Sequence, residues 1–192
     1  MVNTKILKEV LQHCNPHVES STVEKIAPFF EYKNFNKGDV IVSNKGVCTT
    51  CYFIYSGVTR AYISNDGEEH TLWFGEKGDF ITSFKTMYNN ETGSEIIMAL
   101  TNCETFSIEM SQFKQLIHEH IDVANIYIKI LEAGYQYWEK RFIIHSQHNA
   151  ENRFVEWMNR AEHLLPHLSL GVLAEYLNID QSTLSRIRSK RK

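Results

Sequence analysis

The last 25 residues of the chain constrain its fold most, because their apolar side chains recur at a spacing that two crossing helices satisfy. One set shares a face of a first predicted helix, one residue falls in a turn, and a second set shares a face of the following helix. These positions are Leu173, Ala174, Leu177, Ile179, Leu184 and Ile187. They turn inward together when two short helices pack at a steep angle, so the segment predicts a helix-turn-helix.

The residues around the predicted turn suit that geometry individually. Ala174 is small where the two helices would cross, and Asn178 tolerates the left-handed backbone that a sharp turn requires. Asp180 directly precedes the second helix, where its carboxylate can cap free backbone amides. Local chemistry therefore agrees with the apolar spacing.

The outward face of the second helix is polar and basic. It carries Gln181, Ser182, Ser185, Arg186, Arg188 and Lys190. Side chains of these types read base edges or bind phosphates, with Arg186 the strongest single candidate for base reading. Residues 181–192 hold five basic groups and no acidic one, whereas residues 1–180 hold 15 Lys and Arg against 23 Asp and Glu. The segregated positive charge favours a polyanion, although a solvated basic C-terminus is the alternative.

The middle of the chain predicts a β-structure. Two short helices fit the apolar spacing between Thr4 and Phe30, and short β-type runs separated by glycines then extend from about residue 31 to 110. The Asp66-Gly67 pair suits a hairpin turn, since both residues accept positive φ. Regularly spaced short strands predict an antiparallel sandwich or barrel.

A long helix is predicted from Asp122 to His148, where apolar residues recur at alternating three- and four-residue steps. The proposed seam comprises Val123, Ile126, Ile130, Ala133, Tyr137 and Ile144. A seam of this kind either packs within the chain or meets its twin in a parallel dimer. We expect the dimer, because one helix alone cannot hide so much apolar surface.

Composition excludes several classes. With 43% hydrophobic and 22% charged residues, the chain is an ordinary globular protein. Its first twenty residues mix polar and apolar types, and no later run approaches the about 18 apolar residues of a membrane span. We expect a cytoplasmic protein with no membrane partner. Its four cysteines, Cys14, Cys48, Cys51 and Cys103, are then expected to be thiols.

Neither the cysteines nor the histidines predict a metal site. Cys48 and Cys51 form a C-x-x-C pair, and His145 with His148 could share one helix face, but neither pair has identifiable further ligands. Within the β region only His70 resembles an enzyme's metal ligand. We therefore expect no metal, no cofactor and no catalytic constellation.

The order of these parts resembles the Crp/Fnr family, the cyclic-AMP receptor-like transcription regulators. The landmarks are Lys37-Gly-Asp-Val-Ile-Val42, Phe53-Ile-Tyr-Ser-Gly-Val58, Gly78-Asp-Phe-Ile81 and the segment 173–188. The resemblance implies an α+β fold with an N-terminal β-roll flanked by helices, a long dimerisation helix and a C-terminal helix-turn-helix. The corresponding domains are 1–121, 122–148 and 149–192. The implied partners are double-stranded DNA, a second copy of the chain and RNA polymerase.

The sequence departs from nucleotide-binding members of that family in the pocket. Where they carry Gly-Glu-Leu and an Arg-Ser or Arg-Thr pair, this chain has Thr82-Ser83-Phe84 and Gly93-Ser94. A cyclic phosphate needs a cation or convergent amides, so we do not expect cyclic AMP to bind. Another, unidentified effector could use this region. The candidate pocket residues are Phe80, Thr82, Ser83, Phe84, Lys85 and Ser94.

A second departure is that the sequence stops soon after the recognition helix, where many relatives continue into a β-hairpin wing. We therefore expect a helix-turn-helix without a full wing, whose fewer phosphate contacts make its positioning on DNA weaker or more salt-sensitive unless the basic tail replaces part of the wing. The sequence also leaves open a ligand-sensing or protein-binding roll whose basic tail does not read DNA.

Overall fold

Two four-stranded antiparallel sheets form a roll in the computed structural model, which describes residues 2–147 and 149–190. One sheet has the strand order β1-β8-β3-β6 and the other β2-β7-β4-β5. The strands are β1 (Glu31–Phe35), β2 (Val40–Val42), β3 (Thr50–Ser56), β4 (Thr59–Asn65), β5 (Glu68–Gly75), β6 (Phe80–Ile81), β7 (Glu95–Ala99) and β8 (Cys103–Glu109). The β region expected at about 31–110 is confirmed, and Asp66 and Gly67 both have positive φ at the predicted hairpin turn.

Helices precede, interrupt and follow the roll. They are α1 (Thr4–Cys14), α2 (Ser20–Ile26), α3 (Phe84–Asn89), α4 (Met110–Glu119), α5 (Ile121–Gln147), α6 (Ala150–Ala161), α7 (Leu170–Tyr176) and α8 (Gln181–Ser189). Short 3-10 turns cover Ala27–Phe29 and Glu162–His167. His148, the last residue of the predicted long helix, lies outside the described residues. Within the described ranges, no helix is long and apolar enough to cross a membrane.

Helix α3 inside the roll was not expected from the sequence. Its six residues are too few for a clear helical periodicity, and their aromatic content is equally typical of strands. Ser83 precedes the helix and accepts a hydrogen bond from the Thr86 amide, while Asn90 ends it in the left-handed conformation at φ 57°. Capping at both ends therefore defines a helix that the apolar pattern does not reveal.

The main core lies between the β1-β8-β3-β6 sheet and the helices α1, α2, α4 and α5. Its centre is Phe53 on β3, which is fully buried. The rings of Phe30, Phe80 and Phe113 lie 5.9, 5.0 and 5.8 Å from it, in tilted or edge-on arrangements. These contacts hold α4, which carries Phe113, against the roll.

A second core forms around the C-terminal helices. The inward positions predicted for the helix-turn-helix are confirmed: Leu173, Ala174, Leu177, Leu184 and Ile187 are buried, and Ile179 packs beside them. Helix α6 contributes Phe154 and Trp157 to the same cluster, and Val58 of the roll joins it. The C-terminal helices therefore share apolar contacts with the roll.

Candidate nucleic-acid interface

A tight turn between α7 and α8 sets the direction of α8. Asn178 has a φ of 52°, as expected, and the Ile179 amide donates to the Ala174 carbonyl at 3.0 Å. From α6, Arg153 Nε donates to the Leu177 carbonyl at 2.9 Å and its Nη2 to the Asn178 carbonyl at 3.1 Å. The guanidinium thus binds carbonyls that the end of a helix leaves without helical partners.

The start of α8 agrees only in part with the expectation. Asp180 occupies the cap position with extended backbone, but its side chain makes no capping hydrogen bond. Its backbone carbonyl accepts from the Leu184 amide at 3.0 Å, as the first bond of the helix. Asp180 therefore takes the predicted position without the predicted side-chain contact.

All six side chains assigned to the reading face are exposed: five lie on α8 and Lys190 directly follows it. Its cations, Arg186, Arg188 and Lys190, form no ion pair with any described residue. Arg186 and Lys190 line a groove of about 290 Å³ between α8 and the start of α6, where Asn149 and Glu151 also lie. The helix therefore presents uncompensated positive charge to solvent.

The candidate effector pocket is divided between the core and the surface. Thr82 and Ser83 are buried, and Thr82 donates to the Thr50 carbonyl at 3.1 Å. Phe80 packs in the aromatic core at 5.5 Å from Phe113. By contrast, Ser94 is exposed. The hydroxyls of Thr82 and Ser83 are already hydrogen-bonded within the protein.

The two remaining pocket residues lie on the outside of α3. Phe84 stacks on Tyr88 with ring centroids 6.2 Å apart, and Lys85 forms an ion pair of 3.2 Å with Glu91. The only cation assigned to the pocket is thereby paired with a carboxylate. The structure brings Phe80, Phe84 and Tyr88 into one aromatic row but does not gather the polar residues around a common centre.

Gly93, the position matched to an arginine of the nucleotide-binding relatives, is buried against neighbouring side chains. A Cβ placed on Gly93 would lie 2.3 Å from Ser83 Oγ and 2.9 Å from Glu95 Oε2. A side chain at this position would therefore displace the Ser83 hydroxyl that caps α3.

Helix α3 is also attached to the neighbouring helices. The hydroxyls of Tyr88 and Tyr127 form a short hydrogen bond, and Lys114 Nζ donates to the Met87 carbonyl. Burial and the bond to Tyr88 raise the pKa of Tyr127. Protein side chains therefore bridge α3 to α4 and α5.

The predicted dimer seam on α5 is wrong for most of its residues. Val123 and Ile126 are 1% exposed in the main core, and Ile130 packs against that core. Tyr137 donates to the Leu72 carbonyl at 3.1 Å, and Ile144 is buried. This face packs within the chain, which is the alternative that the sequence left open. Only Ala133 of the predicted seam is exposed.

A different stripe of α5 is exposed. It consists of Ile121, Ile128, Leu131, Tyr135, Trp138 and Phe142, whose exposed fractions run from 39% to 76%. Past Ile121 these residues recur at alternating three- and four-residue steps, as in a coiled-coil seam. We call them the α5 stripe. The sequence does carry this signal, but α5 is apolar on two faces, and periodicity alone does not say which face is buried in the chain.

The cysteines and His145 occupy structural positions. Cys51 lies in the main core, while Cys48 packs against a separate cluster of the roll. Burial raises the pKa of the Cys51 thiol to about 12 and that of Cys14 to about 11, so both stay protonated at neutral pH. Burial and the nearby Arg141 and Arg153 lower the pKa of His145 to about 4, so its imidazole is neutral.

Sequence reasoning missed a polar contact between the roll and α7. Arg60 of β4 is 4% exposed, and its Nη2 donates to both carboxylate oxygens of Glu175, at 3.1 and 3.3 Å. Arg141 Nη2 of α5 donates to the Tyr176 carbonyl at 3.2 Å. We call the contacts made by Arg60, Arg141, Glu175 and Tyr176 the roll–helix junction. No local motif marks it, because Arg60 and Glu175 are 115 residues apart in the chain.

Comparison with known proteins agrees with this architecture. Residues 32–120 match the cyclic nucleotide-binding domain family. A Crp/Fnr-family protein from Eubacterium rectale superposes with a TM-score of 0.68 at 14% identity, covering 91% of this chain and 84% of its own. The structure has the Crp/Fnr regulator fold.

Two further proteins of known structure share the Crp/Fnr fold with this chain. A mutant of CooA from Carboxydothermus hydrogenoformans gives a TM-score of 0.70 at 15% identity, covering 86% of this chain and 78% of that one. The c-di-GMP-responsive global regulator CLP of Xanthomonas campestris gives 0.67 at 18% identity, covering 90% and 91%. No curated protein matches the sequence.

The turn geometry predicts a specific pattern of stability. Asn178→Ala should lower the free energy of unfolding by about 1 kcal/mol, because an ordinary side chain is strained at positive φ. Asn178→Gly should change it by less than about 0.5 kcal/mol, since glycine adopts this conformation freely. Urea denaturation measures both, and equal stability of the two variants would contradict the role of the left-handed turn.

Proposed function

We propose that this protein is a DNA-binding transcription regulator of the Crp/Fnr type, acting as a homodimer in the cytoplasm and not gated by cyclic AMP. The exposed face of α8 carries the proposal, because it combines base-reading side chains with cations that have no ion-pair partner among the described residues. The fold shared with Crp/Fnr proteins supports it. RNA polymerase is the protein partner that a regulator of this type would contact.

The two ends of α8 have different tasks in this proposal. Gln181, Ser182, Ser185 and Arg186 would face base edges in the major groove, and Arg188 and Lys190 would contact phosphates. Asn178 and Arg153 hold the turn from which the helix projects. A homodimer would present two such helices to half-sites about 34 Å apart.

Arg186→Ala tests the reading role. We expect it to weaken binding to the preferred sequence by about 1 to 3 kcal/mol and to relax base preference at one position. Lys190→Ala is the matched control, because loss of a phosphate contact weakens all sequences alike and lowers the salt dependence. Selection from random duplexes gives the preferred sequence, and fluorescence anisotropy at several salt concentrations gives the affinities.

Two results would count against this assignment. Equal losses of Arg186→Ala on selected and random DNA would remove Arg186 from base reading. If the wild-type protein enriches no sequence over bulk DNA at any salt concentration, the roll acts as a ligand- or protein-binding module and the proposed function fails.

The α5 stripe is proposed as the dimer interface. Its residues are large and apolar, they stand on the side of α5 opposite the packed face, and their spacing suits a parallel partner helix. An exposed apolar band of this length is typical of an interface. Two copies joined here would bury the stripe against its twin.

Trp138→Glu and Ala133→Glu together decide which face of α5 dimerises. Because Trp138 lies in the stripe, its replacement by a charge should weaken the dimer by at least about thirtyfold, the scale of an interface hot spot. Ala133→Glu changes an exposed residue of the face first predicted and should leave the dimer within about threefold. Sedimentation equilibrium measures both. A dimer broken by Ala133→Glu and retained in Trp138→Glu would restore the original seam.

The pocket region is proposed not to hold a cyclic nucleotide. Lys85 is paired with Glu91, the buried hydroxyls have internal partners, and Gly93 supplies no cation. A cyclic phosphate would therefore lose its water without gaining an available cation. Any effector of this roll must be recognised by other chemistry.

Thermal melting with cyclic AMP and cyclic GMP tests this statement. At millimolar nucleotide the melting temperature should move by less than about 1 °C, whereas a ligand present at 100 times its Kd stabilises by about 2.7 kcal/mol and moves it by several degrees. Linear AMP serves as the control for non-specific effects. Stabilisation by the cyclic form alone would overturn the proposal.

A further inference from the structure

The roll–helix junction forms where a sheet edge carries an irregularity. Strand β5 is the outer strand of its sheet, and Leu72 is an extra residue in it, because Ala61 pairs with Trp73 and Tyr62 with Thr71. Edge strands leave backbone groups without strand partners, and a bulge redirects them. Here the outward amides and carbonyls of Thr71 and Leu72 need other partners.

Side chains from two helices supply those partners. Glu175 of α7 accepts a hydrogen bond from the Thr71 amide, and Arg141 Nη2 of α5 donates to the Thr71 carbonyl at 3.3 Å. Tyr137 of α5 donates to the Leu72 carbonyl at 3.1 Å. One short stretch of backbone therefore sets the positions of both α5 and α7.

A buried cation makes the position of α7 specific. The side chain of Arg60 is 5% exposed; its Nε donates to Thr71 Oγ1 at 2.8 Å and its Nη1 to Glu69 at 2.6 Å, both within the roll. Its Nη2 bonds reach across to Glu175, whose side chain is 25% exposed. A shifted α7 would leave a buried guanidinium nitrogen and the Thr71 amide unpaired, which is costly in a low-dielectric setting.

The position of α8 depends on the position of Glu175, because both belong to the packed C-terminal helices. Glu175 lies on α7 between Ala174 and Tyr176, and α7 packs on α8 through the buried residues of the second core. Tyr176 is fixed as well, since its hydroxyl lies 3.0 Å from that of Tyr137 and Arg141 stacks on its ring at 4.1 Å. The junction thus determines where α8 stands relative to α5.

The same two turns of α5 carry both the junction and the proposed dimer stripe. Tyr137 and Arg141 face β5 and α7, while Tyr135, Trp138 and Phe142 are exposed. A dimer axis along the stripe is therefore separated from α8 only by α5 and α7, each about 10 Å across. Little intervening structure could absorb a change at the junction.

We propose that the Arg60–Glu175 pair is a positioning pair that fixes the separation of the two recognition helices, and so sets the half-site spacing that the dimer accepts. This inference rests on the proposed function as a dimeric DNA reader. It assigns a specificity role to two residues that do not touch the reading face. Replacement of a whole buried ion pair by apolar residues is often neutral for stability, whereas removal of one partner leaves a buried charge without compensation.

Glu175→Gln tests the pair, because it keeps the shape of the side chain and removes its charge. Glu69→Gln is the matched control, since it changes the other carboxylate on Arg60 without touching α7. Each protein is titrated with duplexes whose two half-sites are separated by spacers that differ by single base pairs, and with an isolated half-site. The spacing preference is the ratio of affinities for the best and next-best spacers.

The wild-type protein and Glu69→Gln should both prefer one spacing by at least about tenfold, as a rigid dimer does. Glu175→Gln should reduce that preference to below about threefold and bind the isolated half-site within about twofold of wild type. An unchanged spacing preference in Glu175→Gln would overturn the proposal. So would an equal loss on every duplex and on the half-site, because the pair would then support the reader itself. Glu175→Asp, which keeps the charge but withdraws the oxygens, carries the same expectation if Glu175→Gln does not fold.

A measurement without DNA separates this inference from the proposed function. Nitroxide residues are incorporated at the exposed positions Lys45 in the roll and Ser189 in α8, and labelled protein is diluted with unlabelled protein to report distances within one chain. The distribution of distances between the two labels should be narrow in wild type and in Glu69→Gln and clearly broader in Glu175→Gln. Identical distributions would refute the positioning role whatever the DNA results. A different outcome combines a broader distance distribution in Glu175→Gln with a wild-type protein that binds all DNA alike. It would refute the proposed function and the spacing role, and the pair would then only orient the C-terminal helices.

Discussion

The packing of one face of α5 against its own chain joins the roll to the C-terminal helices. At its start, Val123 and Ile126 enter the aromatic core of the roll, and further along Tyr137 and Arg141 bind the edge of β5 and the helix that begins the helix-turn-helix. The helix is thereby fixed at both ends to parts that are far apart in sequence. Because this face packs within the chain, it cannot also form a dimer interface. The exposed apolar residues of the α5 stripe are available to contact another surface.

The roll, whose residues 32–120 match the cyclic nucleotide-binding domain family, uses the region of the candidate pocket for internal contacts. Ser83 caps a helix, Thr82 bonds to the neighbouring strand, and tyrosine hydroxyls join α3 to α5. These hydrogen bonds connect α3 to α4 and α5 through side chains of the protein itself.

Much of the fold could be predicted from the sequence, because it depends on local patterns. The left-handed Asn178, the inward face of the C-terminal helices and the limits of the β region follow from spacing and turn chemistry. The face of α5 could not be assigned, since both faces are apolar and burial depends on the roll. Arg60 was also missed, because its partner Glu175 lies on a distant helix and a lone arginine in a strand carries no signal. The exposure of Arg186 and its neighbours was predictable; the sequence they would read is not encoded in any local pattern.

The bulge at Leu72 has a consequence for the solubility of the protein. An outer strand with unpaired backbone groups is a template on which another chain can add a strand, and proteins commonly protect such edges with charge or with a covering element. In this chain the covering elements are α5 and α7, whose Tyr137, Arg141 and Glu175 occupy the backbone groups at Thr71 and Leu72. These helices therefore also protect the edge of β5 from the addition of another strand. A fragment that ended before α7 would leave part of this edge open to association with other strands.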